Sequence, residues 1–144
     1  MVTVSDLLKS KGTQVFSVSA KASVRDALKL MAEKDIGALP ILDGNKLMGI
    51  FSERDFARTL AKEGEFSLNT SICELMTKNL FTVTSATSIE NCMQLMTDKH
   101  IRHLPVLENQ ILVGMISIGD VVKTVISSQK EFIDQLEGYI SGRW

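Results

Sequence analysis

The chain has 144 residues, of which 44% are apolar and 23% charged, and its 16 lysines and arginines nearly balance its 17 aspartates and glutamates. This composition is typical of a folded globular protein and excludes the disordered and disulfide-scaffold classes, while a formal net charge of −1 lacks the basic excess of a nucleic-acid binder. We find no apolar run of transmembrane length, no secretory signal and only two cysteines, so we expect a cytoplasmic protein.

The first half of the chain predicts a strand, a helix, two strands and a second helix, in that order. An extended piece at residues 16–18 precedes Ser23, a candidate N-cap, after which apolar residues recur at helical spacing. Residues 38–51 form two apolar runs around an Asp-Gly-Asn turn, which is typical of a hairpin. The closing helix begins at Ser52.

The same order of elements returns 65 residues later. Residues 15–60 align without a gap with residues 80–125, and 15 of the 46 aligned positions are identical. The second copy has its candidate N-cap at Ser88 and its closing helix at Ser117. The chain is therefore a tandem duplication of a β-α-β-β-α unit.

A polar linker at residues 63–69 separates the copies, and a short capped helix is predicted from Ser71 to Met76. We place the first repeat with its N-terminal segment at residues 1–70 and the second repeat at 71–127. Residues 128–144 are predicted to contain a C-terminal amphipathic helix, which needs a covering surface and therefore predicts a homodimer. Its apolar face comprises Phe132, Ile133, Leu136 and Ile140.

Two short motifs flank the hairpin in each copy. The strand before the turn reads Ile-x-x-Leu-Pro followed by Ile or Val, at residues 36–41 and 101–106. The strand after it leads into Gly, two apolar residues and Ser-x-x-Asp, at residues 49–55 and 114–120. With these motifs the chain resembles the cystathionine β-synthase (CBS) domain family over roughly residues 15–125, and two such repeats in tandem resemble a Bateman module.

The resemblance implies an α/β (α+β) fold in which two repeats pack around a pseudo-two-fold axis, and modules that associate as homodimers. It also implies clefts between the repeats that bind adenosine nucleotides such as AMP, ATP, NAD or S-adenosylmethionine, although some members bind nothing. Within this chain we assign four apolar residues to the adenine pocket: Val18, Val83, Ile50 and Met115.

Asp55 and Asp120 are the candidate ribose-binding residues, together with Ser52 and Ser117. A carboxylate at the start of a helix can accept hydrogen bonds from both hydroxyls of a ribose diol, while the helix N-terminus offers free N–H groups to an anion. The same Ser-x-x-Asp spacing is also a capping box, and one residue can serve both purposes. Two copies, each directly after a strand that opens with glycine, favour ligand binding.

Arg102 and His103 stand where the first copy has Gly37 and Ala38. This divergence indicates a phosphate-binding position on one side of the module, and the family resemblance points the same way. The alternative is an exposed basic pair. Arg54 either reaches a phosphate or pairs with a surface carboxylate, which is the commoner fate.

No catalytic or metal-binding pattern emerges from the sequence. His100 and His103 lack partners at ligand spacing, and neither Cys73 nor Cys92 carries the signs of a reactive thiolate. We therefore predict a non-enzymatic regulatory module that binds an adenine nucleotide (AMP, NAD or ATP) and signals through a dimer or an effector protein, with no catalytic cofactor, nucleic acid or membrane partner. The alternative is a ligand-free homodimeric adaptor for another protein.

Overall fold

The structure, a computed structural model, describes residues 1–142. It contains the predicted order of elements, except that the first strand of the second copy is reduced to a single bridge. The helices and strands are Val4–Lys11 (α1), Val18–Ser19 (β1), Val24–Lys34 (α2), Ala38–Asp43 (β2), Lys46–Ser52 (β3), Glu53–Glu63 (α3), a 3-10 turn at Ile72–Glu74, Ile89–Lys99 (α4), His103–Glu108 (β4), Ile111–Ser117 (β5) and Ile118–Ile140 (α5).

The chain folds into two compact units, which we name after the aspartate that each contains. The Asp55 unit comprises residues 14–82 and 107–113. The Asp120 unit comprises residues 1–13, 83–106 and the described residues from Gly114 onward. The segment that precedes each repeat in sequence therefore belongs to the unit of the other repeat.

The Asp55 unit is built on a three-stranded sheet in the order β1-β2-β3. β1 runs parallel to β2, with Val18 opposite Ile41, and β2 and β3 form an antiparallel hairpin. The hairpin turn contains Gly44 at a φ of 60°, a conformation that costs glycine little. α2 begins at Ser23, which forms the predicted cap. The buried core comprises Val24, Ala27, Met31, Leu39, Ile41, Phe51, Ile72 and Met76.

The Asp120 unit repeats this plan with a smaller sheet. β4 and β5 pair, but the extended piece predicted at residues 81–83 is a single parallel bridge between Val83 and Val106. α5 packs against α4 and α1. The fully buried side chains include Val4, Leu7, Ile89, Cys92, Leu104, Val106, Ile116 and Val121.

Backbone hydrogen bonds attach each leading segment at an equivalent place. In the Asp120 unit, Thr3 bridges to Ser88 and the Val4 N–H donates to the carbonyl oxygen of Thr87 at 2.9 Å. In the Asp55 unit, Ser71 bridges to Ser23 and the Ile72 N–H donates to the carbonyl of Ala22 at 2.9 Å. The two leading segments are therefore structural counterparts, with residue 3 equivalent to residue 71.

Each leading segment then packs a large apolar side chain onto a strand glycine. A Cβ atom added at Gly114 would lie 2.9 Å from the Cδ2 atom of Leu8. A Cβ atom added at Gly49 would lie 2.6 Å from Sδ of Met76 and 2.8 Å from the carbonyl oxygen of Thr77. Glycine at these two positions permits a close approach that any other residue would obstruct.

α5 is one continuous helix of 23 residues, so the tail predicted as a separate helix is its second half. No Gly or Pro interrupts residues 120–137, and the chain therefore has no local reason to break there. Arg143 and Trp144, the end of the predicted tail, lie outside the described residues. Within residues 1–142, none of the helices combines the length and apolar character needed to cross a bilayer.

Candidate functional site

The two Ser-x-x-Asp motifs form complete capping boxes at the starts of α3 and α5. Ser52 has extended backbone angles, its hydroxyl accepts from the Asp55 N–H at 3.1 Å, and its own N–H donates to Oδ2 of Asp55 at 2.9 Å. Ser117 and Asp120 repeat this arrangement at 3.1 and 2.8 Å. The capping interpretation of the motif is thus confirmed, and capping holds each carboxylate in a fixed orientation.

The second carboxylate oxygen of Asp55, Oδ1, accepts a hydrogen bond from a hydroxyl group. The side chain of Thr77 donates to Oδ1 of Asp55 at 3.2 Å, and the hydroxyl of Ser52 adds a 3.0 Å bond to Oδ2. Thr77 is held in place by its backbone, which forms a reciprocal pair of hydrogen bonds with Ile50 at 2.8 and 3.0 Å. The half-buried Asp55 carboxylate is therefore bordered by neutral donors.

At Asp120 an ammonium group contacts the capped oxygen, Oδ2, whereas Thr77 contacts the other oxygen, Oδ1, of Asp55. Nζ of Lys11 lies 2.6 Å from Oδ2 of Asp120 and also donates to the carbonyl oxygen of Met115 at 2.8 Å. Burial would raise the pKa of the Asp120 carboxyl. The hydrogen bonds from Lys11 and Ser117 and the charge of Lys11 outweigh burial, so this pKa lies below its ordinary value of 3.8.

The helix N-termini offer less to an anion than the sequence suggested. The first N–H of α3, from Glu53, donates to the carbonyl of Gly37 at 3.0 Å, and the first N–H of α5, from Ile118, donates to the carbonyl of Arg102 at 2.9 Å. The serine hydroxyl takes the third N–H of each helix. The first and third N–H groups therefore have partners, and among residues 1–142 the second, at Arg54 and Gly119, is the one left to meet a ligand.

The structure divides the predicted phosphate-binding residues between the units. Arg102 is exposed in the bend before β4, and its backbone contacts the start of α5, so it lies beside Ser117 and Asp120. His103 follows it as the half-buried first residue of β4. Arg54 is exposed in the first turn of α3, one residue before Asp55. Arg54 is thus adjacent to Asp55 in sequence, whereas Arg102 is brought near Asp120 by the backbone contact to α5.

The four residues predicted to form the adenine pocket are split between the two units, two in each. Val18 is half-buried in β1 and Ile50 is buried in β3, on opposite sides of β2 in the sheet of the Asp55 unit. Val83 is buried at its bridge to Val106. Met115 is half-buried in β5, and its own backbone carbonyl accepts from Lys11. Each unit therefore holds one aspartate and two of the apolar residues assigned to adenine.

The sequence interpretation missed two residues that contact the aspartates, Lys11 at Asp120 and Thr77 at Asp55. Both lie in the leading segments, outside the aligned repeats, and Lys11 is 109 positions away from its partner Asp120. A comparison extended upstream with a three-residue shift would have aligned Val4-Ser5-Asp6-Leu7-Leu8 with Ile72-Cys73-Glu74-Leu75-Met76. It would have pointed to the residues after Leu8 and Met76 as neighbours of the aspartates.

The cysteines have structural surroundings. Cys92 is buried in α4, and burial raises the pKa of its thiol. Cys73 is half-buried, and its Sγ donates to the carbonyl of Ala20 at 3.1 Å. Across residues 1–142, no three His, Cys, Asp or Glu side chains lie together in a way that could hold a metal ion.

Comparison with known proteins matches this architecture to a single family. The family model for the CBS domain matches residues 4–62 and again residues 72–127. The chain therefore belongs to the CBS domain family, with two repeats in tandem. Both the family resemblance and the mixed α/β fold predicted from the sequence are confirmed.

Three relatives illustrate the similarity. The chain is 38% identical to the CBS domain-containing protein CBSX3, mitochondrial, of Arabidopsis thaliana, and the match covers 97% of this chain and 72% of that protein. It is 44% identical to a protein with CBS domains from Burkholderia ambifaria MC40-6, with a TM-score of 0.83, 89% of this chain covered and 96% of that one. The CBS domain pair of protein MJ0100, in complex with 5′-methylthioadenosine and S-adenosyl-L-methionine, is 25% identical, with a TM-score of 0.78 and coverage of 89% and 98%.

Proposed function

We propose that the protein is a non-enzymatic regulatory module that binds an adenosine-containing ligand, with AMP, NAD and ATP as the leading candidates. Asp55 and Asp120 each receive the ribose of one ligand, with Ser52 and Ser117 holding the carboxylates in position. Binding changes a surface that a second copy or an effector protein recognises. We further propose that it acts in the cytoplasm.

The observation that carries this proposal is the state of the Asp55 carboxylate. Its Oδ2 atom is fixed by the cap, whereas Oδ1 accepts a single bond, from a threonine hydroxyl at 3.2 Å. A carboxylate oxygen has room for a second donor, and the hydroxyl of Thr77 can rotate away at small cost. The carboxylate is therefore fixed in orientation but able to accept from a diol.

The ligands of the MJ0100 pair support adenosine as the recognised unit. 5′-Methylthioadenosine and S-adenosyl-L-methionine share the adenine and the ribose diol but carry no phosphate. A site that relies on an aspartate for ribose fits this common part. Phosphate contacts from Arg102, His103 and Arg54 would then distinguish nucleotides from nucleosides.

The proposal is tested by Asp55→Asn, with Asp26→Asn as the matched control. Asp26 forms the same capping box with Ser23 in α2 but lies outside the proposed sites, so both variants lose one charge from the same kind of cap. We expect Asp55→Asn to weaken AMP binding at the Asp55 site about tenfold and to remove the preference for AMP over 2′-deoxy-AMP at that site alone, since a buried polar group left unpaired costs roughly 1–3 kcal/mol. Isothermal titration calorimetry measures both quantities.

Two results would contradict the ribose assignment. The first is wild-type affinity and ribose selectivity in both Asp55→Asn and Asp120→Asn, which would leave both aspartates as caps only. The second is NADP binding as tightly as NAD, because a 2′-phosphate beside an aspartate brings like charges together. If the wild type binds no member of a panel of AMP, NAD, ATP and S-adenosylmethionine, the ligand-free adaptor replaces the proposed function.

The phosphate assignment has a separate test. Replacing Arg102 and His103 with alanine is expected to narrow the affinity difference between AMP and adenosine by about tenfold or more, because each charge-assisted hydrogen bond contributes roughly 1.5–3 kcal/mol. Arg54→Ala tests the same role in the Asp55 unit, with Arg58→Ala, one turn further along α3, as its control. An unchanged ratio would mean that these side chains make no contact with the phosphate.

We also propose that the signalling surface is the outer face of α5, which forms a homodimer. This face carries eight large apolar residues that are 44–82% exposed and recur at three-, four- and seven-residue intervals along about 34 Å of helix. They are Ile118, Val122, Ile126, Phe132, Ile133, Leu136, Tyr139 and Ile140. An apolar stripe of this length, interrupted by the polar residues 127–131, indicates a protein interface.

Light scattering at micromolar concentration tests the dimer. Ile133→Lys is expected to yield monomers, whereas Glu131→Lys, an exposed residue on the other side of the helix, should leave the dimer intact. Truncation after Ser128 should weaken the dimer for the same reason. A wild-type chain that is monomeric, or an Ile133→Lys variant with an unchanged mass, would overturn this part of the proposal.

A further inference from the structure

Lys11 places a positive charge beside Asp120 without occupying the carboxylate oxygen that a ribose would use. Its Nζ atom lies 2.6 Å from Oδ2, and the same oxygen accepts the capping bond from the Ser117 N–H at 2.8 Å. Among residues 1–142, none donates a hydrogen bond to Oδ1 of Asp120, whereas Oδ1 of Asp55 accepts from the hydroxyl of Thr77. The charge of Asp120 is thus compensated while its Oδ1 atom stays open to a diol.

The Asp55 unit has no counterpart of this ion pair. α1 stays helical as far as Lys11, and its last turn brings the ammonium to the carbonyl of Met115 at 2.8 Å. Because residue 3 of one leading segment corresponds to residue 71 of the other, the position equivalent to Lys11 is Asn79, which carries no charge. Within the described part of the chain, Asp55 forms no ion pair.

The starts of the two closing helices also differ in charge. Residues 53–55, at the start of α3, contain two carboxylates and one guanidinium, whereas residues 118–120, at the start of α5, contain one carboxylate. The carbonyl that accepts the first helical N–H belongs to Gly37 in the Asp55 unit and to Arg102 in the Asp120 unit. With Lys11 included, the Asp120 site therefore has two cations beside one carboxylate, and the Asp55 site has one cation beside two carboxylates.

This difference in charge acts on the phosphate of a nucleotide and not on its ribose. A phosphate monoester carries a charge of about −1.5 to −2 at pH 7, whereas adenosine itself is uncharged. An excess of cations attracts such a group and an excess of carboxylates repels it, so charge complementarity selects between the two ligands. The side chains of Lys11 and Asp120 are 38% and 23% exposed, so solvent screens the interaction in part.

We propose that Lys11 is a specificity-determining residue that makes the Asp120 site selective for phosphorylated adenosine over the nucleoside. The Asp55 site, which lacks such a cation, discriminates less between AMP and adenosine. This inference rests on the proposed function, because it assigns ligand classes to the same two sites. It makes the duplicated chain a receptor whose two sites differ in charge selectivity although their ribose-binding motifs are identical.

The test measures AMP and adenosine binding by calorimetry in full-length protein in which one site is weakened. Asp55→Asn leaves the Asp120 site as the tighter one, and Asp120→Asn leaves the Asp55 site. We expect the preference for AMP over adenosine to be larger in the Asp55→Asn protein. Adding Lys11→Met to that protein should lower the preference about threefold, the size expected of a partly screened charge, and should leave adenosine binding unchanged.

Two further variants separate the charge of Lys11 from its packing. Lys11→Arg keeps the charge and should retain the preference for AMP. Lys9→Met is the matched control, because Lys9 is an exposed lysine of the same last turn of α1. Salt gives an independent readout, since the effect of Lys11→Met should shrink in about 1 M NaCl if it arises from charge.

The outcomes distinguish the inference from the proposed function. A lower preference for AMP with Lys11→Met that Lys11→Arg does not share and Lys9→Met does not reproduce supports the inference. An unchanged preference, an effect that salt does not diminish, or an equal loss of AMP and adenosine binding overturns it. Equal preferences at the two sites also overturn it while leaving the proposed function standing. If neither the wild type nor any variant binds AMP or another adenosine compound, the proposed function fails and the inference fails with it.

Discussion

The two leading segments perform the same structural task with different backbones. α1 is an eight-residue helix and its counterpart is a three-residue 3-10 turn, yet both supply the apolar side chain that packs onto a strand glycine. Beyond that contact they differ. One continues as a helix and presents Lys11, whereas the other becomes extended and presents Thr77.

The comparison teaches where a duplicated binding protein diverges. The strand glycine, the capping serine and the aspartate are identical in both repeats, so a motif search would rate the two sites as equal. The charge beside each aspartate is determined by a segment outside the aligned repeats. Identical motifs therefore do not establish equivalent sites.

The largest expected effect is that of Gly49→Ala. The new Cβ would lie 2.8 Å from the Thr77 carbonyl oxygen as well as 2.6 Å from Met76, and a backbone atom paired with β3 cannot move aside easily. Overpacking of this kind costs about 1–3 kcal/mol, and we expect the upper part of that range in the free energy of unfolding measured with urea. Adding Met76→Ala should not restore stability. Restoration would mean that the Met76 side chain alone fills the space.

Gly114→Ala should have the smaller effect of the pair. Its Cβ would meet only the end of the Leu8 side chain, at 2.9 and 3.1 Å, and a side-chain end can shift. We expect a loss of about 1 kcal/mol, the lower part of the overpacking range. Urea denaturation of both glycine variants gives the comparison directly. A loss at Gly114 equal to that at Gly49 would show that α1 is held as rigidly as the extended Thr77 segment.

The ion pair of Lys11 predicts a pH dependence of stability. Because the pKa of Asp120 is lowered in the folded protein, the carboxylate stabilises the fold above pH 3.8 and this contribution is lost as the pH falls through the folded pKa. Lys11→Met should therefore reduce the stability lost between about pH 6 and pH 3 by about 0.5–1 kcal/mol, since the lysine is 38% exposed. Unfolding free energies at the two pH values, with Lys9→Met alongside, measure the difference. An identical acid loss in Lys11→Met and the wild type would argue against the pair.

The smallest expected effect concerns the caps of α2 and α4. Ser23 has a reciprocal partner in Asp26, whereas Ser88 has Asn91 at the same place and the cap is one-sided. Asn91→Asp should complete the capping box and place a negative charge near the helix N-terminus. We expect the free energy of unfolding to rise by about 0.3–1 kcal/mol at low salt, which raises the melting temperature. Asp26→Asn, which removes the same carboxylate from the cap of α2, should lower the melting temperature. Equal melting temperatures in the wild type and both variants would show that the carboxylate does not stabilise these caps.

Local features of the fold were predictable because their signals lie within a few residues. The caps at Ser23, Ser52, Ser88 and Ser117 and both hairpins follow from short-range patterns of cap, turn and apolar residues. Repetition at a fixed offset then gave the order of elements twice. The exchange of leading segments was not predictable in this way, because the contact between Leu8 and Gly114 joins residues that no local pattern connects.

In the candidate site, too, residues within a short motif were predictable and residues with long-range contacts were not. Asp55 and Asp120 were identified as ribose candidates from a motif four residues long, and the structure confirms their caps while their role in binding stays a prediction. Lys11 and Thr77 were not identified, because their contacts depend on where the leading segments end. The pairing of the Glu53 and Ile118 N–H groups with carbonyls across each unit was missed for the same reason.

The interleaved make-up of the units has a consequence for the chain as it leaves the ribosome. α1 ends at Lys11, but the rest of its unit begins at Val83 and extends into α5. Translation of the intervening stretch of about 70 residues takes roughly 4–14 s at roughly 5–20 residues per second. Throughout that interval the apolar side chains Val4, Leu7 and Leu8 have no surface to cover them. These side chains therefore stay exposed until Val83–Val106 and β5 have been made, and we expect the nascent chain to be prone to aggregation over that interval.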